Sequence, residues 1–152
     1  MFMNPFSARV KNGFSLVEVL VVVTIIGFFV VPLLITYQAS RSTRALQASA
    51  EEVVNNVKSA HIFARESRDR RNWGVTSLSG DKYAIFSKGT GDKTIEKSFF
   101  LESGVRFASG FEVLFEIGTG ETDSQKTVEL ENDRGLKSRI EILETGVVEV
   151  AR

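Results

Sequence analysis

The chain has 152 residues with nineteen basic and nineteen acidic side chains, so its formal net charge of zero creates no global field for nucleic acid or acidic ligands. It has no cysteine, which excludes disulfides, cysteine–zinc sites and thiol catalysis. The length suits one domain plus an appendage, and twelve phenylalanines among many Val, Ile and Leu allow a core that needs no covalent staple.

Residues 1–13 form a short basic leader with Arg9 and Lys11. From Val19 to Tyr37 there is no charged side chain. At about 1.5 Å per helical residue this run approaches the ~30 Å hydrocarbon core of a bilayer. A secretory signal would end its apolar part after roughly 7–15 residues at a small-x-small site. This run is longer, and Ala39-Ser40-Arg41 is a poor cleavage site. A core helix of such length would also show a polar face, so the segment 14–38 reads as a retained membrane helix. Arg41 and Arg44 follow it as closely as Arg9 and Lys11 precede it, so flanking charge sets its orientation only weakly. Glu18 is the misfit. A carboxylate at the head of a membrane span is costly and marks a functional site by default. An acid in a first helical turn also interacts favourably with the macrodipole, by about 0.3–1 kcal/mol, which is the competing explanation.

After Tyr37 the pattern turns amphipathic. Leu46, Ala50, Val53, Val57, Ala60 and Ala64 recur every three or four residues, with Arg44, Gln47, Glu51, Asn55, Lys58 and Arg65 on other faces. One helix is expected from Phe14 to about Arg70, bent or melted between Gly27 and Pro32, where a helical amide is lost. From Trp73 short strands take over. Val75–Leu78 and Tyr83–Ser87 flank a Ser79-Gly80-Asp81 turn, and Lys88–Lys93 is a glycine-rich loop. Ile95–Leu101 alternates with Ile95, Lys97, Phe99 and Leu101 on one side. Further strands are Phe111–Ile117, Thr127–Glu131, Ser138–Leu143 and Val147–Val150. Val128, Leu130, Ile140 and Ile142 point inward, and Glu129, Glu131, Arg139 and Glu141 outward. This predicts an α+β protein: an antiparallel sheet with one wet face, its other face covered by the helix over 46–64.

The run Asn12-Gly13-Phe14-Ser15-Leu16-Val17-Glu18, ahead of a long apolar helix, resembles the signature of type IV pilins and pseudopilins. The resemblance implies that a prepilin peptidase cuts after Gly13 and N-methylates Phe14. Phe14 and Glu18 are then the assembly residues. Less specifically, Trp73-Gly74-Val75, Val113-Leu114-Phe115 and the terminal Gly146-Val147-Val148-Glu149-Val150 resemble H-type minor pseudopilins of type II secretion and FimT-like minor pilins. The implied partners are other pilins or pseudopilins in a filament, the peptidase, the inner membrane, and a secretion or pilus assembly platform. The implied layout is a leader at 1–13, a membrane and assembly helix at 14–38, and a periplasmic domain at 39–152 with its helix over 39–71 and sheets over 73–152.

Other candidates are weaker. Arg65, Arg68, Arg70 and Arg71 form a basic cluster of the kind that contacts nucleic acid, but Glu66 and Asp69 dilute it and cations suit a helix end. Nucleic acid is therefore the less favoured partner. Trp73 could stack on a base, although a Trp opening a sheet is more often core. His61, the sole histidine, has no second His or Cys partner and reads as a partly buried structural residue. No Asp spacing fits a calcium loop, and the Gly turns lack a Walker lysine. No cofactor, metal or catalytic set is expected, and the chain reads as a structural subunit rather than an enzyme. The expected role is a minor pseudopilin at or near the tip of a type II secretion pseudopilus, with a FimT-like minor pilin as the alternative.

Overall fold

The computed structural model describes residues 14–151, so Gly13 and the leader lie outside the described residues. The chain divides into two compact units, Met1–Gln38 and Ala39–Arg152. A single helix, α1 (Leu16–Arg65), contributes to both.

In the first unit every side chain from Phe14 to Gln38 is exposed. The expected melting between Gly27 and Pro32 does not occur, because α1 is unbroken there. Proline removes one donor only, and the remaining ladder holds the turn. The Thr36 hydroxyl donates to the Pro32 carbonyl at 3.0 Å and keeps that carbonyl partnered. At its far end α1 stops at Arg65, not near Arg70. Ser67 takes left-handed φ of 52°, and Arg68–Arg70 form a separate 3-10 turn. The Gly118 amide donates to the Ala64 carbonyl at 2.9 Å, so a loop residue closes the helix where its own chain turns away.

The second unit holds eight strands in two four-stranded antiparallel sheets, which corrects the expectation of one. The strands are β1 (Asn72–Ser77), β2 (Lys82–Lys88), β3 (Lys93–Phe100), β4 (Val105–Phe107), β5 (Glu112–Phe115), β6 (Lys126–Asn132), β7 (Lys137–Ile142) and β8 (Val148–Ala151). The orders are β3-β2-β1-β5 and β4-β6-β7-β8. The division arises because β5 returns to β1, pairing Phe115 with Trp73, while β4 pairs forward with β6 through Phe107 and Leu130. β4 has only three residues, too few to show an alternation by themselves. The predicted strand over 111–117 shortens to β5.

β3 also departs from expectation. It begins at Lys93, inside the predicted loop, and its register shifts opposite Ile85 and Phe86, so that Lys97 pairs with Ile85 and Ile95 with Phe86. The extra residue is Glu96. Such a bulge breaks the alternation, so Ile95 does not share a side with Phe99. On the other side of β2, Phe86 stands opposite Gly74. A Cβ on Gly74 would lie 2.7 Å from the Phe86 ring, so the missing side chain is what lets the ring close over β1.

All six apolar positions assigned to the helix face (Leu46, Ala50, Val53, Val57, Ala60 and Ala64) are buried in one core cluster with residues of both sheets. Val54 and Ser49 are buried with them. Polar groups tie the helix down along its length. The Ser49 hydroxyl accepts the Glu102 amide at 3.0 Å. The Asn56 amide donates to the Tyr83 hydroxyl at 2.8 Å. Asn132, buried at the end of β6, donates to the Ser42 carbonyl at 3.4 Å and accepts the amides of Arg134 and Leu136. Buried polar atoms that meet their partners in this way fix register as well as position.

Candidate functional site

The first turn of α1 carries the residues singled out for assembly. Phe14 precedes the helix and is 81% exposed. The helix opens where Ser15 supplies two acceptors: its hydroxyl takes the Val17 amide at 3.3 Å, and its carbonyl takes the Val19 amide at 3.2 Å. Ser15 is thus the N-cap, with Glu18 at the third helical position, the Ser-x-x-Glu spacing of a capping box. The sequence reading missed this role, although the spacing alone signals it.

Glu18 lies in that first turn and is exposed. Among the described residues it takes part in none of the ion pairs. Phe14 stands four residues before it, one helical turn away. Phe14, Leu16, Val19, Leu20, Val23 and Thr24 line an apolar groove on a face of the helix other than that of Glu18. The Thr24 hydroxyl donates to the Leu20 carbonyl at 2.8 Å, so the one polar side chain of that groove is turned back onto the helix. A backbone whose polar groups are satisfied internally, under an apolar surface, is what lipid or a second apolar helix accepts. α1 is also the one described helix long and apolar enough to cross a membrane, and none of that window is buried. In chemical terms the site is a carboxyl group in the first turn of α1, about one turn from Phe14 and without an ion-pair partner among the described residues.

The basic cluster is differently occupied. The Arg68 guanidinium lies 4.4 Å from the Phe63 ring centroid and 5.6 Å from that of Trp73. The Trp73 ring nitrogen donates to the Arg68 carbonyl at 3.0 Å. Arg71 donates to the Ser87 hydroxyl at 3.2 Å. Arg68 and Arg71 therefore stitch the turn to the first sheet, while Arg65 and Arg70 are exposed beside them. Trp73 is buried and faces Phe63 at 5.0 Å, so it belongs to the core and not to a stacking platform. Among the described residues no cluster of three His, Cys, Asp or Glu could hold a metal.

Residues 8–34 match the family model described as the prokaryotic N-terminal methylation motif. The match covers residues 8–13, Phe14, Glu18 and most of the apolar helix. It indicates a type IV pilin-like protein processed by a prepilin peptidase, and with the long apolar helix it is consistent with membrane anchoring. No curated protein and no solved structure matches the chain.

Proposed function

We propose that the chain is a minor pseudopilin, a structural and non-catalytic subunit that joins the pseudopilus of a type II secretion system at its tip or initiation complex. The observation that carries this reading is Glu18, unpaired among the described residues, one turn from Phe14 on a helix whose every side chain up to Gln38 is exposed. Cleavage after Gly13 frees an amino group on Phe14, and its methylation keeps the positive charge. Placed side by side, the helices of two subunits bring the carboxylate of one to the ammonium of the other. Burying either charge alone costs several kcal/mol, and a well-formed pair recovers much of that. Subunits that dock out of step leave a charge unpaired in lipid. The pair therefore sets register, while the apolar staves from Leu16 to Ile35 supply contact without direction. The domain after Gln38 then stands on the periplasmic side as the part that meets neighbours or cargo.

Two substitutions test this. Gly13→Leu should leave the leader attached, read as intact mass, and normal loss of residues 1–13 in that variant would refute processing at this bond. Glu18→Leu should insert normally yet be lost from cross-linked complexes with partner subunits. Equal recovery of variant and wild type would remove the register role. The identity of the captured partners decides the machine. Secretion pseudopilins support the reading given, and pilus subunits would make the chain a FimT-like minor pilin.

A further inference from the structure

We propose that His61 is an acid-sensitive latch that fastens the β5–β6 loop and the β7–β8 turn to α1. The ring stands on the helix between Ala60 and Ile62, with its centroid 5.5 Å from that of Phe115 on β5. Two glycines embrace it. Gly120 has φ of 75° and Gly146 φ of 80°, both in the left-handed region that favours glycine. A Cβ on Gly120 would lie 2.7 Å from the imidazole Nε2, and one on Gly146 would lie 2.5 Å from the same atom. The imidazole thus fills the space that a side chain would need at both turns.

The same turns are joined to each other and to the helix by backbone bonds. Thr122 donates to the Glu144 carbonyl at 2.9 Å, Gly118 to Ala64 at 2.9 Å, and Gly120 to Glu116 at 2.9 Å. The first sheet's exit loop, the second sheet's last turn and α1 therefore converge on one ring.

That ring is held in a way that disfavours an added proton. Its Nε2 is buried and has no hydrogen-bond partner. The charged residues that converge there are Lys58 and Arg65, each within about a turn of His61 on α1, Glu116, Glu121 and Asp123 on the loop, and Glu144 on the turn. None of the four acids takes a hydrogen bond from Nε2. Arg65, four residues on and packed by its Cγ against Gly120, opposes a second positive charge. Burial first, and then Arg65, hold the imidazole below its ordinary value of 6.5. Once the turns lift, the ring is more fully hydrated and moves back toward that ordinary value. Acid therefore favours the open form, and the opening equilibrium grows up to about tenfold per pH unit between the open-state and closed-state values. Above the open-state value opening no longer depends on the protonation of this ring.

The full chain in detergent micelles provides the test, since a single histidine makes the ring signals self-assigned by NMR. The ring should titrate with a midpoint below 6.5. Over that interval the amides of Gly118, Gly120, Thr122 and Gly146 should lose hydrogen-exchange protection, up to about tenfold per pH unit, while those of Leu130 and Ile140 keep it. His61→Phe, which keeps an apolar ring, and His61→Gln, which keeps a neutral polar group, should each abolish this acid-dependent loss. A ring midpoint at or above the ordinary value overturns the proposal. So does unchanged protection of the four amides in the wild type, or the same acid-dependent loss in either variant.

Discussion

Residues 14–38 and residues 39–151 solve the problem of burying apolar surface in opposite ways. The first segment buries nothing of its own. Its backbone is satisfied along the helix, its threonine hydroxyls return to carbonyls one turn back, and its apolar side chains all face outward. The second segment buries a continuous core drawn from one helix face and two sheets. Both segments share α1, so helix formation itself does not separate them. What differs is the distribution of apolar residues around the axis: all round before Gln38, and on one stripe after it. The first half is thus completed by its surroundings, and the second by its own chain.

The largest expected effect concerns the core. Phe115→Ala removes a fully buried ring that touches His61, and should lower the domain's unfolding free energy by about 3–5 kcal/mol. Leu20→Ala in the first segment should leave the same transition unmoved. Denaturant unfolding of the full chain in micelles, followed by the single buried Trp73, checks both. A comparable loss from Leu20→Ala would break the contrast.

A smaller effect is expected with acid. The Lys93 ammonium, hydrogen-bonded to Glu112 at 2.7 Å, holds that carboxyl below the usual range. A carboxyl lowered in the folded state adds stability that is present above its unfolded value and lost as pH falls through its folded one. Unfolding midpoints should therefore decline slightly below about pH 4.5 through this pair, and Lys93→Met should flatten that part of the profile. The least change is expected from removal of the first segment. A chain beginning at Ala39 should fold and unfold like the whole protein, and a circular dichroism spectrum without strand signal would contradict it.

Legibility followed the range of the interaction. The helix face from Leu46 to Ala64 and the alternation of β6 and β7 were readable because each depends on neighbours within a few residues. The pairing of Trp73 with Phe115 depends on residues some forty positions apart, and no local pattern announces it, so the split into two sheets was invisible. Ser49 escaped because a polar residue reads as surface until its partner, the Glu102 amide, is known. The bulge at Glu96 escaped because an interrupted alternation still looks like one. At the candidate site, Gly13, Phe14 and Glu18 stood out as a local motif, and Ser15 could have. The surroundings of His61 could not, since Gly120 and Gly146 meet only in three dimensions.

The fastening of α1 also has a mechanical meaning. Asn132 holds it at Ser42, the Glu102 amide at Ser49 and the Gly118 amide at Ala64. These anchor points are spread over about 33 Å of helix at 1.5 Å per residue. A tug along the helix axis is thus shared in parallel, because sliding by even one turn must rupture all three at once. Peeling from one end would break them singly. The second unit should therefore resist a pull along α1 far better than a sideways pull at Arg65, which single-molecule force spectroscopy in the two geometries would read.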